Sequence, residues 1–240
     1  GKNSRGALAR AMFSMETGEE IEAVISLKDF SEDSFIFMGT AQGVVKKVAT
    51  SAFRNARRKG IRALDFKEGD RLVSAVLTSG KDDIMVVSTS GNALRYSESA
   101  VRPMGRTAVG VKGMNLPDGD QVAGIITVGE NSLMLVMSEQ GYGKRVDCDL
   151  FKAHGRSTKG QRVYSVSEKT GSVAGVVSVT EDDELMCITF HGNTLKVKVK
   201  EISEQGRNAM GVRIVNVNEG DYIISIAKVS KQGEELESEE

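Results

Sequence analysis

Lysine and arginine are the residues whose spacing in this sequence points to chemistry, because they cluster in four segments of similar pattern. The segments are GVVKKVATSAFRNARRKGIR (43–62), GNALRYSESAVRPMGRTAVGVKG (91–113), GYGKRVDCDLFKAHGRSTKGQR (141–162) and GNTLKVKVKEISEQGRNAMGVR (192–213). Together they hold 22 of the 32 basic residues and 5 of the 33 acidic residues, although the net charge of the chain is −1. A ligand meets the local charge rather than the total, so the pattern predicts that these segments bind a polyanion.

The residues that we predict to carry this binding are a basic pair or single residue in a strand of each segment and a cluster in the loop that follows. They are Lys46, Lys47, Arg54, Arg57, Arg58, Lys59, Arg62, Arg95, Arg102, Arg106, Lys112, Lys144, Arg145, Lys152, Arg156, Lys159, Arg162, Lys196, Lys198, Arg207 and Arg213. Lone basic residues often flank turns only for solubility and to protect strand edges. The recurrence in four segments, with little acidic compensation, favours a functional band.

The segments belong to an internal repeat that must position these residues. Their leading glycines are separated by 48, 50 and 51 residues: Gly43, Gly91, Gly141 and Gly192. A second glycine and then a turn recur in register: Gly60, Gly110, Gly160 and Gly211, followed by turns at 69–70, 119–120, 171–172 and 220–221. A constant period of about 50 residues is typical of propeller blades and other repeat architectures.

Short strands rich in Val and Ile lie between these landmarks, for example IEAVISL (21–27), DIMVVST (83–89) and SLMLVMS (132–138). Several are apolar on both alternating faces, so they must be covered on both sides. Four such strands per repeat predict an all-β fold of propeller-like, four-stranded blades. The sequence lacks Trp, which disfavours the WD type of propeller.

Nucleotide-binding loops are not supported in detail. The stretch 155–162 has the glycine spacing of a phosphate loop but carries Gln161-Arg162 where Lys-Ser/Thr is required, and the stretch 141–146 lacks the third glycine of a dinucleotide fingerprint. Acidic pairs such as Asp82-Asp83 are most simply turn residues.

Metal and nucleophilic chemistry is equally unsupported. His154 and His191 each lie in a predicted turn without a partner at ligand spacing, and the two cysteines, Cys148 and Cys187, lack C-x-x-C spacing. We therefore predict no catalytic residue, no metal site and no cofactor in this chain. The absence of an apolar run long enough for a membrane helix predicts a soluble protein, and the two reduced thiols suggest the cytoplasm.

The repeats define one domain, 1–230, made of a partial blade (1–17) and four repeats (18–68, 69–118, 119–170 and 171–230). Gly6 resembles the second glycine of a repeat whose first half is missing, so we expect residues 6–13 to be poorly ordered or to pair out of place. Residues 231–240 carry five glutamates in the last seven positions and are predicted to form a disordered acidic tail.

Three runs of residues give the repeat a family resemblance. FMGTAQGVVKKVATSAF, VRPMGRTAVGVKGMNLPDGD, and SEQGYGKRV followed by GRSTKGQRV resemble the C-terminal domain of the DNA gyrase A protein over essentially the whole chain. The family's signature box, Gln-Arg-Arg-Gly-Gly-Lys-Gly, is absent, and residues 55–60 resemble it only in part. The corresponding domain of topoisomerase IV is the alternative within the same superfamily, and a propeller-like protein-interaction module for an acidic partner is the alternative outside it.

The resemblance implies a six-bladed β-pinwheel with strands exchanged between blades, of which about four and a half blades would lie in this chain. It implies a non-catalytic module that binds double-stranded DNA and wraps it around a basic rim. The parent enzyme would be an ATP-dependent type IIA topoisomerase, with ATP and Mg²⁺ used elsewhere in a heterotetramer of gyrase A and gyrase B. The isolated domain would be monomeric, and the holoenzyme bacterial, cytoplasmic and nucleoid-associated.

Overall fold

The computed structural model describes residues 9–14, 21–27, 30–54, 69–130 and 132–229, and these form an all-β fold. Short 3-10 turns lie at Thr50–Phe53, Glu98–Ala100, Cys148–Leu150 and Val199–Glu201. The strands are β1 (Ala9–Ser14), β2 (Ile21–Leu27), β3 (Phe35–Thr40), β4 (Val44–Ala49), β5 (Leu72–Thr78), β6 (Asp83–Ser88), β7 (Asn92–Ser97), β8 (Val111–Lys112), β9 (Val122–Val128), β10 (Leu133–Ser138), β11 (Tyr142–Asp147), β12 (Gln161–Arg162), β13 (Val173–Val179), β14 (Glu184–Thr189), β15 (Thr194–Lys198), β16 (Val212–Arg213) and β17 (Ile223–Lys228).

Each four-stranded sheet takes its two hairpin strands from one repeat, and takes its innermost strand and a two-residue outer strand from the next repeat. The four-stranded sheets have the orders β5-β3-β4-β8, β9-β6-β7-β12 and β13-β10-β11-β16, and every strand pair within them is antiparallel. The last sheet, β17-β14-β15, has three described strands, so no described strand covers the edge of β15. The predicted propeller-like pinwheel with exchanged strands is therefore confirmed.

The leading glycine of each repeat makes the tight turn between the two hairpin strands of its sheet. These four glycines have φ between 83° and 92°, a left-handed conformation that favours glycine. A hydroxyl at the end of the preceding strand accepts a hydrogen bond from the backbone N–H four residues later, as in Thr40 to Val44 and Ser88 to Asn92, both within 3.2 Å. The periodic glycines of the sequence thus mark the hairpin tips.

The Gly-Asp turns hold each hairpin tip against the innermost strand of its sheet. The carboxylate of Asp120 accepts hydrogen bonds from the N–H groups of Ser90 and Gln121 at 3.1 and 2.8 Å. Asp70 and Asp221 bind the equivalent N–H groups in their own sheets. In the third sheet the turn carries no Asp, and the Glu139 carboxylate reaches across from the hairpin to the N–H of Ser172 at 2.8 Å.

The core lies between neighbouring sheets, which explains why some strands are apolar on both faces. In β10, Met134 and Val136 pack with residues of the second sheet, whereas Leu135 and Met137 pack with the fourth. All four side chains are fully buried. The innermost strands β2, β5, β9, β13 and β17 lie side by side in chain order, and the last four line a cavity of about 1050 Å³.

The first repeat differs from the others in its pairing. β1 pairs with β2 along its whole length, whereas the equivalent short strands β8, β12 and β16 each pair with the preceding sheet. Residues 6–8, the loop cluster at 55–68 and the acidic tail at 230–240 lie outside the described residues.

Candidate nucleic-acid interface

Three loops connect the outer hairpin strands to the exchanged strands, and each carries Gly-Arg-x-x-x-Gly at the same position. The loops span 101–110, 151–160 and 202–211, and their arginines are Arg106, Arg156 and Arg207. The sequence analysis placed these arginines in loop clusters, and the structure brings them to equivalent places on successive sheets.

Backbone hydrogen bonds lay each loop along the outer strand of the preceding sheet. The N–H of Met104 donates to the carbonyl of Lys47 at 2.7 Å, that of His154 to Arg95 at 2.8 Å, and that of Gln205 to Arg145 at 2.9 Å. The loops are therefore fixed by the sheets that they cross, and they carry their basic residues along the outer side of the fold.

Most of the predicted loop cations are accessible to solvent. The exposed ones in the loops and the exchanged strands are Arg54, Arg102, Arg106, Lys112, Lys152, Lys159, Arg162 and Arg213, and Lys196 and Lys198 on β15 are exposed as well. Arg95, Arg156 and Arg207 are half-buried. Arg57, Arg58, Lys59 and Arg62 lie outside the described residues.

The strand-borne cations require a correction, because four of them are buried rather than part of an exposed band. Lys46, Lys47, Lys144 and Arg145 have at most 9% of their surface exposed. The exchanged strand and the loop of the next repeat cover the strands that carry them. Their charged groups bind protein atoms instead of solvent.

Lys47 forms a buried ion pair between the first and second sheets. Its Nζ lies 3.5 Å from a carboxylate oxygen of Glu98 and donates to the Glu98 carbonyl at 3.1 Å. The hydroxyl of Thr78 and the N–H of Asp82 donate to the two carboxylate oxygens, each at 2.9 Å. The ammonium also lies 4.8 Å from the centre of the Phe35 ring. The pair is thus fully satisfied within the protein.

Basic residues at the same register position make similar contacts in the next two sheets. Arg95 donates to the carbonyl of Cys148 at 3.0 Å and to the carboxylate of Asp83 at 2.9 Å. Arg145 donates to the carbonyl of Ile202 at 2.5 Å. The fourth residue of this series, Lys196, lies on β15 and is exposed, because no described strand covers that edge.

One cation beside the loops was missed by the sequence analysis. Lys169 and Arg213 are both exposed and lie 5.4 and 5.2 Å from the centre of the Tyr142 ring, and Arg213 donates to the Tyr142 hydroxyl at 2.9 Å. Lys169 stands outside the four repeated segments whose charges were compared. The repeat pattern therefore carried no signal for it.

The described residues offer little for metal or nucleophilic chemistry. His154 and His191 are exposed, and no group of three or more His, Cys, Asp or Glu in the described part of the chain could hold a metal ion. Burial raises the pKa of the Cys148 thiol to about 12 and that of Cys187 to about 11, so both thiols are protonated at neutral pH. Among the described residues, no helix has the length and apolar character needed to span a membrane.

Comparison with known proteins agrees with this arrangement. The family described as DNA gyrase C-terminal domain, beta-propeller, matches residues 34–79, 82–128, 133–180 and 183–230, and each range contains the three long strands of one sheet. The DNA gyrase A protein of Staphylococcus aureus (strain NCTC 8325 / PS 47) is 36% identical over 242 residues, which cover 100% of this chain and 27% of that protein.

Two solved structures share the fold. The C-terminal domain of DNA gyrase A matches with a TM-score of 0.80 and 28% identity, over 90% of this chain and 72% of that one. The C-terminal domain of DNA topoisomerase IV matches with a TM-score of 0.81 and 25% identity, over 95% of this chain and 73% of that one. The chain spans about a quarter of the length of the curated relatives that it matches, at 27%. On its repeats, its fold and these matches, the chain belongs to the DNA gyrase C-terminal domain family.

Proposed function

We propose that this chain binds double-stranded DNA through the exposed cations of its three loops and bends the duplex around them. The observation that carries the proposal is the recurrence of the Gly-Arg-x-x-x-Gly loop on successive sheets. Cations that recur at equivalent places from sheet to sheet can contact phosphates at successive places along a duplex.

Binding of this kind does not depend on base sequence. The loops present Arg and Lys side chains at turns, and the helical segments among the described residues are 3-10 turns of three or four residues, too short to serve as a recognition helix. Phosphate contacts fix position without reading sequence. We therefore assign the domain a DNA-wrapping role rather than a sequence-reading one.

In the holoenzyme, the domain would present DNA to the strand-passage core of gyrase for ATP-dependent negative supercoiling. Its partners would be the rest of gyrase A and the gyrase B protein, in the bacterial cytoplasm and at the nucleoid, and the isolated domain would be a monomer without catalytic activity or cofactor. The similarity to gyrase A proteins of Staphylococcus aureus over the whole of this chain favours gyrase over topoisomerase IV.

The test is the salt dependence of binding to random-sequence duplex, measured by fluorescence anisotropy between 50 and 200 mM salt. If the loops neutralise ~6 to 10 phosphates, affinity falls by ~10³ to 10⁵ over this range. Bent or circular DNA should bind more tightly than a short linear duplex. A module that docks an acidic protein would show little binding to DNA.

A matched pair of triple variants locates the contact. Replacing Lys152, Lys159 and Arg162 with Gln removes three exposed cations from one loop and the exchanged strand that follows it. The salt slope should fall by at most about 2.7, at about 0.9 per phosphate. Replacing the exposed Arg71, Lys81 and Lys228 removes the same charge away from the loops and should leave the slope nearly unchanged. Equal effects of the two triples would contradict binding by the loops.

A further inference from the structure

Lys46 and Lys144 occupy the same register position in alternate sheets. Each pairs with the fourth residue of the central strand of its sheet, Met38 and Val136 respectively. Both side chains are fully buried, and both ammonium groups donate hydrogen bonds to the loop that the next repeat lays across the sheet.

The acceptor is the same loop atom in both sheets. The Nζ of Lys46 donates to the carbonyl of Arg106, and the Nζ of Lys144 donates to the carbonyl of Arg207 at 3.0 Å. Lys144 also donates to the carbonyls of Gly206 and Ala209, each at 2.6 Å. An ammonium has three donors, so the hydrogen-bonding capacity of Lys144 is used entirely on this loop.

The other two sheets show that the core does not require lysine here. Leu94 and Leu195 occupy the equivalent positions. Leucine is buried without the cost of desolvating a charge, a cost that also lowers the pKa of Lys144 to about 8. Because the packing of the sheet does not need lysine at this position, we infer that Lys46 and Lys144 act on the loop that they contact.

The loop opposite Leu94 shows what happens without the lysine. Its arginine, Arg156, is half-buried and turns its own guanidinium back onto the carbonyl of Lys112. One N–H donor of the Arg156 guanidinium is therefore bound to the protein and is not available to a phosphate. Opposite Lys46, by contrast, Arg106 is exposed. Opposite Lys144, Arg207 is half-buried, with its guanidinium 6.0 Å from the centre of the Phe151 ring, so what the two lysines share is their hold on the loop backbone.

We propose that Lys46 and Lys144 are positioning residues of the DNA interface: their buried ammonium groups hold the loop backbone at Arg106 and Arg207, so that each loop and the exchanged strand after it are fixed in place before the duplex binds. This inference rests on the proposed function. A loop fixed before binding loses less conformational entropy when it contacts the duplex.

The test compares the full chain carrying Lys144→Leu with the wild type. Leucine is the residue that the chain itself places at this position in two sheets, so the variant should fold. The salt slope of DNA binding should fall by about 1.8, the value for loss of the Arg207 and Arg213 contacts together. Amide hydrogen exchange of residues 203–211 should accelerate. Lys198→Leu is the control: it removes one exposed cation, so the slope should fall by at most about 0.9 and exchange of the loop should not change.

An unchanged salt slope in Lys144→Leu overturns the proposal, whatever happens to its melting temperature. Should this variant fail to fold, Lys144→Met keeps the unbranched chain without the ammonium, and failure of both would show that the residue is required for folding instead. If the wild type shows no salt-dependent DNA binding, the proposed function fails. The exchange comparison then decides separately whether Lys144 holds the loop.

Discussion

Replacing Glu98 with Ala should destabilise the fold strongly, because it leaves the Lys47 ammonium buried without a counter-charge. Glu98 is fully buried and Lys47 is 3% exposed, so water does not replace the lost carboxylate. The Thr78 hydroxyl and the Asp82 N–H lose their acceptors as well. Removing one partner of a buried ion pair costs about 3–5 kcal/mol.

The assay is thermal and urea unfolding followed by circular dichroism. For a chain of this size, each 1 kcal/mol shifts the melting temperature by about 2–4 °C, so we expect a fall of at least roughly 6 °C. The double variant Glu98→Val with Lys47→Met is the control. It replaces the pair with apolar groups and should recover most of the loss. Val199, fully buried at the position of the fourth sheet equivalent to Glu98, shows that the fold accommodates valine there.

Two results would refute this reasoning. A Glu98→Ala variant within about 1 kcal/mol of the wild type would mean that the ammonium finds another partner or that water reaches it. A double variant as unstable as the single one would mean that Glu98 acts through its contacts with Thr78 and Asp82 rather than through Lys47.

Three further predictions concern the thiols, one turn carboxylate and the tail. Cys148 and Cys187 should not react with a thiol reagent in the native protein at pH 8, because burial raises the pKa of both; both should react once the protein is unfolded in urea, and fast reaction in the native state would contradict their burial. Burial alone would raise the pKa of Asp221, but hydrogen bonds from the Thr189 hydroxyl and from the N–H groups of His191 and Tyr222 lower it to about 2. The stabilisation by this carboxylate is therefore complete above about pH 4, the usual pKa of an unfolded Asp, and is lost as the pH falls through 2. The difference in melting temperature between the wild type and Asp221→Asn should shrink over that window. A constant difference would exclude linkage to this carboxylate. Deleting residues 231–240 should tighten DNA binding at low salt if the acidic tail competes for the loops, whereas unchanged affinity would indicate a tail that only improves solubility.

Local sequence determined the strands and the turns of this protein. The hairpin glycines need a left-handed backbone, and the Gly-Asp turns need a carboxylate beside free N–H groups, so both are visible as periodic residues. Strands with two apolar faces, such as β10, required neighbours on both sides. For these reasons the approximate positions of the strands, the repeat and the propeller-like fold could be predicted before any contact was known.

Tertiary structure decided which basic residues reach solvent. Lys47 and Lys196 are the same residue type at the same register position, yet the first is buried and the second is exposed. The difference lies in the exchanged strand and loop, which cover β4 and come from a segment about 60 residues later in the chain, while no described strand covers β15. A charge pattern along the sequence shows where cations are concentrated. Whether each one meets a phosphate or a backbone carbonyl depends on strands contributed by another repeat.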